Sequence, residues 1–167
     1  MRPLAFIAPL AVVTAVAASA QALTGLQPAS QPRVSVVIAP AVQAQADDLG
    51  QREVQAQADR LVQVVSRALE RSSALDGAQV RLTLTDLKPN HPTFEQVARN
   101  PGLSAIESRS IGGATVQVEL IGADGARQTG EVRYYSHSLA EVRGYSTWQD
   151  ADRAFNRVAS KVAAGRL

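Results

Sequence analysis

Apolar and polar residues alternate with a period of two in three segments, 34–39, 79–85 and 115–120. This alternation is typical of strands with one face on the core and the other towards solvent, although the first segment is apolar on much of both faces. A fourth strand is predicted through Val132 and Tyr134, because Asp124-Gly125 forms a favourable turn between it and the third segment. The pattern therefore predicts four strands, of which the last two form a hairpin.

In two other segments the apolar residues recur every three or four positions, which predicts amphipathic helices. Their apolar stripes consist of Val54, Ala58, Leu61, Val65 and Leu69, and of Trp148, Ala151, Phe155, Val158 and Val162. Capping boxes are predicted at Asp48 with Gln51, at Thr147 with Asp150, and at Thr93 with Gln96, which begins a short helix over 94–99. Residues 41–47, rich in Ala and Gln, show no clear period.

The resulting order is β-α-β-(short α)-β-β-α. A strand–helix–strand unit predicts a parallel crossover and the hairpin adds antiparallel strands, so the sheet is expected to be mixed. Each long helix has one apolar stripe, and both are expected to cover the same face of the four-stranded sheet. The sequence therefore predicts an α/β (α+β) fold, a two-layer sandwich formed by a single domain over 34–167.

The N-terminal segment 1–22 has the layout of a secretory signal peptide. Arg2 precedes an apolar stretch at 4–18, and small residues follow, with cleavage expected after Ala20 or Ala22. A flexible lead-in is expected over 23–33. The protein is then exported, to the periplasm if the host has an outer membrane and to the medium otherwise. The apolar stretch is shorter than the roughly 20 residues of a membrane-spanning helix, so no stable insertion is expected after cleavage. A retained N-terminal anchor is the alternative.

Composition excludes several classes of protein. The chain has no cysteine, which rules out disulfides and a lipid-modified N-terminal cysteine. The 17 Lys and Arg residues nearly balance 15 Asp and Glu residues, so the strong basic surface of a nucleic-acid-binding protein is missing. The sequence contains no cofactor-binding motif. Its glycine pair, Gly112-Gly113, lacks the Gly-Lys-Ser/Thr residues of a phosphate-binding loop. We expect no cofactor and no nucleic-acid partner.

Candidate catalytic residues are few. His91 and His137 are the two histidines, and Asp86 and Glu95 lie near His91 in sequence. These residues would suit a general acid–base pair in an envelope hydrolase, which is one hypothesis for this chain. Their spacing matches no zinc motif, and no serine lies in a nucleophile elbow. We therefore expect neither a metal site nor an assignable catalytic residue.

The predicted topology leaves one sheet face without helices. Arg81, Arg133, Tyr135 and His137 are expected on this open face, together with polar residues of the neighbouring strands. Hydrogen-bonding groups beside an aromatic ring can bind a partner. The leading hypothesis is a non-enzymatic protein that binds another envelope component, a protein or a cell-wall component, through this face or through the loop 100–113. Solvated sheet faces without any binding role are also common.

Four segments together carry a family resemblance: 86–90 (DLKPN), 92–94 (PTF), 112–114 (GGA) and 147–155 (TWQDADRAF). The chain resembles small exported bacterial proteins of unknown function, some of them lipoproteins, with one α/β domain after the signal peptide. The resemblance implies export and this fold class. It implies no activity and no catalytic residue, and this chain lacks the lipidated cysteine of the lipoprotein members.

Overall fold

The computed structural model describes residues 33–167; the expected signal peptide and nearly all of the expected lead-in lie outside them. Four strands and four helices follow one another in this range, with a 3-10 turn at Ser73–Leu75 after the second helix. The strands are β1 Val34–Ile38, β2 Gln79–Lys88, β3 Gly113–Ile121 and β4 Arg127–Tyr135. The helices are α1 Pro40–Leu49, α2 Gln51–Glu70, α3 Phe94–Arg99 and α4 Gln149–Ala163.

The strands form one mixed sheet in the order β1-β2-β3-β4. β1 pairs with β2 in parallel, as the strand–helix–strand unit predicts, whereas β2–β3 and β3–β4 are antiparallel. The β3–β4 hairpin turns at Gly125, whose φ of 82° favours glycine. The α/β class, the mixed four-stranded sheet and the hairpin are thus confirmed.

The core lies between one face of the sheet and the two long helices. α2 and α4 pack against each other and against the sheet, and the largest fully buried side chain, Phe155, belongs to α4. From the sheet, alternate residues of β2 and β3 point into this core. They are Val80, Leu82, Leu84, Val116, Val118 and Leu120. Because burial of a side chain of this size stabilises the fold by about 1.5–3 kcal/mol, this layer holds the domain together without disulfides.

The region before α2 differs from the sequence-based expectation. Residues 40–49 form α1, for which no period was evident, and α1 contributes Val42, Ala46 and Leu49 to the core. A tight turn at Gly50, with φ of 93°, separates α1 from α2. The cap predicted at Asp48 is therefore wrong, since Gly50 occupies the N-cap of α2 and no side chain caps it.

The other two predicted caps have opposite outcomes. Thr93 and Gln96 form a complete capping box at α3, as predicted. The box predicted at Thr147 and Asp150 is wrong, because Trp148 is the N-cap of α4 and no side chain caps it. Trp148 is half-buried rather than part of a fully buried stripe, and its indole Nε1 donates to Glu53 of α2 at 2.8 Å.

An irregularity in β2 changes which side chains reach the open face. The register of β2 against β3 shifts between Leu84 and Asp86, so Thr85 has no partner across the ladder. Its hydroxyl instead donates to the Thr115 carbonyl at 3.1 Å. Asp86 pairs with Thr115 and therefore takes the open-face position that simple alternation gives to Thr85.

Candidate functional site

The sheet face opposite the helices is the candidate site. The ladder register places polar residues of all four strands on it, in rows across the sheet. The two central rows are Ser35, Arg81, Glu119 and Thr129, and Val37, Thr83, Gln117 and Glu131. These residues line an open depression of about 550 Å³. No element within residues 33–167 covers it.

Three charged side chains cross this face as a connected network. Glu119 of β3 accepts from Arg127 of β4 at 2.6 Å and from Arg81 of β2 at 3.4 Å. Exposed ion pairs of this kind each contribute about 0.2–1 kcal/mol to stability. The network therefore does little for folding, but it holds two guanidinium groups in place on the surface.

A second cluster lies at the other end of the face, around Tyr135. Its hydroxyl donates to Asp86 Oδ2 at 2.6 Å, and the Thr115 hydroxyl lies 2.9 Å from the same phenol oxygen. Since the phenol proton goes to Asp86, Thr115 donates to the tyrosine. Lys88 Nζ lies 3.6 Å from Asp86 Oδ2 and 5.7 Å from the Tyr135 ring centre. Burial, and next the hydrogen bond to Asp86, raise the pKa of Tyr135 to about 12.

The Tyr135 cluster orders the face but offers little reactivity. A phenol with a raised pKa stays protonated at neutral pH and is a poor nucleophile or base. Asp86 is already held by Tyr135 and Lys88. The arrangement fixes one aromatic ring between charged groups, which suits recognition of a partner better than catalysis.

A third polar cluster is buried beneath the loop that joins β4 to α4. The Asp150 carboxylate, fully buried, accepts from Asn90 Nδ2 and from Ser136 Oγ, both at 2.6 Å. Asn90 Oδ1 in turn accepts from the Asp150 backbone N–H at 2.9 Å. Arg153 Nη1 donates to Asp150 Oδ1 at 3.3 Å and to the Tyr145 hydroxyl at 2.6 Å. These hydrogen bonds join the three chain segments that contain Asn90, Ser136 and Asp150.

The two histidines occupy different environments. His91 is buried, and its Nδ1 has no hydrogen-bond partner within residues 33–167. His137 is exposed and lies two residues beyond the end of β4, so it does not belong to the strand register. Its backbone N–H donates to Glu141. Neither histidine shares a hydrogen bond with Asp86 or Glu95 within residues 33–167.

Of the remaining candidate residues, Arg81, Arg133 and Tyr135 lie on the open face, as the alternation predicts. Glu95 lies on α3, away from this face, and pairs with Arg99 at 2.8 Å. Ala20 and Ala22, the expected cleavage positions, lie outside the described residues. The structure thus places Arg81, Arg133 and Tyr135 on one face, with Arg81 and Tyr135 towards opposite ends of it. No hydrogen bond within residues 33–167 joins any two of the four residues of the hydrolase hypothesis.

Sequence reasoning missed two parts of the polar architecture. The bulge at Thr85 brought Asp86 to Tyr135, and no turn residue in β2 signals it. The carboxylate of Asp150 was interpreted as part of a cap, because a Thr at 147 three residues before an acid matches that motif. Neighbouring helix positions point about 100° apart, so the apolar stripe of α4 gave no signal that position 150 is buried.

No three His, Cys, Asp or Glu side chains within residues 33–167 are grouped so that they could hold a metal ion. None of the helices in that range has the length and hydropathy needed to cross a membrane. No protein-family model matches the chain, and no curated protein is significantly similar to it.

Proposed function

We propose that this protein is an exported, non-enzymatic binding domain whose open sheet face docks another component of the bacterial envelope. The observation that supports it best is the open face itself: four strands present a polar surface that no described element covers. The candidate signal peptide and the resemblance to small exported proteins support the location. The partner is a protein or a cell-wall component.

The composition of the face favours a polar partner. Arg81, Arg127 and Arg133 offer guanidinium groups, Glu119 and Glu131 offer carboxylates, and Gln117 is exposed between them. The large apolar side chains that mark a permanent interface are few here, Val37 at 62% exposure being the main one. Such a face suits a reversible contact made through hydrogen bonds and charge pairs.

A hydrolase is the second hypothesis, and the geometry gives it less support. Asp86 is engaged by Tyr135, Glu95 by Arg99, and the two histidines differ in burial. A general base has to reach its substrate proton within hydrogen-bond distance. No hydrogen bond within the described residues joins any two of the four groups.

The test compares two matched double variants of the mature protein. Arg81→Ala with Gln117→Ala removes two exposed side chains of the open face, and Gln63→Ala with Arg67→Ala removes the same pair of residue types from α2. Each protein is mixed with solubilised envelope proteins and, separately, with cell-wall fragments from the host, and co-elution is measured by size-exclusion chromatography. We expect the α2 variant to form the same complex as the wild type and the open-face variant to lose it. Equal complex formation by both variants would refute the proposal.

A further inference from the structure

A second surface runs along the free edge of the sheet, next to α4. β4 is an outer strand, and a groove of about 520 Å³ separates it from the exposed side of α4. Its walls are formed by Glu131, Val132 and Arg133 of β4 and by Asn156, Arg157, Ser160 and Lys161 of α4. This groove lies at the side of the sheet and shares Glu131 and Arg133 with the β4 margin of the open face.

On the side that faces this groove, no strand within residues 33–167 pairs with the backbone of β4. The Gly122 N–H donates to the Ala126 carbonyl at 2.8 Å, which makes these two residues a hydrogen-bonded pair at the start of the ladder. Because such pairs alternate with non-bonded ones in antiparallel sheets, even-numbered β4 residues bond to β3. The odd-numbered residues therefore direct N–H and C=O groups to the edge, and Glu131 and Arg133 do so inside the groove.

The charges beside this edge are mainly positive. Arg133, Arg157 and Lys161 are exposed and form no ion pair within residues 33–167, and Glu131 is the one acidic residue of the groove. Arg157 stacks on the Tyr134 ring at 4.2 Å, which fixes its position. The spacing also fits: residues four apart on a helix are separated by about 6 Å, and alternate side chains of a strand by about 6.8 Å. Acidic side chains two apart on an added strand can therefore meet Arg157 and Lys161 together.

We infer that this groove binds an extended acidic peptide segment of another protein, which adds to β4 as a fifth strand. Backbone hydrogen bonds to the edge of β4 supply the register, and carboxylates on alternate residues pair with Arg157 and Lys161. This is recognition by strand addition, in which the backbone gives affinity and the alternate side chains give specificity. The edge of β1 is a poorer receptor, since β1 has five residues and β4 has nine.

The probe is a fluorescent heptapeptide that alternates threonine and glutamate, with a lysine-for-glutamate peptide as its control. Fluorescence anisotropy with the domain should show binding of the acidic peptide, weaker at high salt, and none of the basic one. Lys161→Glu should weaken binding at least about tenfold, whereas the matched reversal Arg67→Glu on α2 should leave it unchanged. If the acidic peptide does not bind, the inference is wrong. The exposed positive side chains would then serve to prevent β4 from pairing with strands of other molecules.

Two N-methylated peptides test the strand geometry. One carries methyl groups on the backbone nitrogens of the threonines, the other on those of the glutamates. Since only alternate N–H groups of an added strand face β4, one methylated peptide should lose binding and the other should keep it. If neither or both lose binding, strand addition is wrong. Arg81 and Gln117 do not line the groove, so the variant with Arg81→Ala and Gln117→Ala should bind the acidic peptide normally.

Discussion

Replacement of Tyr135 by phenylalanine removes one hydroxyl from the open face and leaves the ring in place. Burial and the hydrogen bond to Asp86 raise the pKa of this phenol from 10.0 to about 12. At 1.36 kcal/mol per pH unit, this difference corresponds to a loss of at most about 2.7 kcal/mol of folding free energy when the phenol ionises, and solvent screening reduces that loss because the ring is half-buried. At neutral pH, Tyr135→Phe removes the hydrogen bonds of the phenol hydroxyl with Asp86 and Thr115, and we expect it to lower the free energy of unfolding by about 1–2 kcal/mol.

The pH dependence of this difference gives the sharper test. Below pH 10 the phenol is protonated in the folded and the unfolded chain, and the full stabilisation is present. Between pH 10 and about 12 the unfolded chain ionises first, so the stabilisation falls as the pH rises. Guanidinium unfolding of the wild type and of Tyr135→Phe at pH 8 and pH 11.5 measures both values. A difference that stays constant between these pH values, or one below about 0.5 kcal/mol at pH 8, would refute the reasoning.

Asp150→Ala should lower the free energy of unfolding by about 3 kcal/mol, because it leaves Asn90 and Ser136 without their buried acceptor; a loss under 1 kcal/mol in urea unfolding would contradict this. Gly113→Ala should destabilise the hairpin by more than about 2 kcal/mol, since its φ is 153° and a Cβ would overlap the Tyr134 carbonyl. Gly125→Ala is the control, because open space surrounds that position. Its φ of 82° alone should lower the free energy of unfolding by about 1 kcal/mol. Equal losses of stability by the two variants in thermal unfolding would contradict the steric argument.

The strands and the two long helices were predictable because their apolar residues keep one period over many positions. Helix α1 was not predictable from the sequence. Pro40 and a mixture of alanines and glutamines give only a weak apolar stripe, and burial against the sheet decides the conformation of this segment. The cap at Thr93 was predictable since a capping box is local. The cap predicted at Asp48 does not form, because α1 continues through this residue and α2 begins only after Gly50, whose φ is positive.

The candidate site was predictable as a face but not as a set of contacts. Alternation places Arg81, Arg133 and Tyr135 on the open side whatever their partners are. The bond between Tyr135 and Asp86 joins residues 49 positions apart and depends on a bulge without a sequence signal. Asp150 illustrates the same limit, since its partners Asn90 and Ser136 come from distant segments that meet only in the folded chain.

Site-specific photo-crosslinking in the native host tests the binding account most directly. A photoreactive residue is placed at Gln117, which is exposed at the centre of the open face, and at Arg67 on the outer side of α2 as the control. The account predicts a discrete adduct from position 117, identified by mass spectrometry as an envelope component, and none from position 67. No adduct from position 117, or the same adduct from both positions, would contradict it.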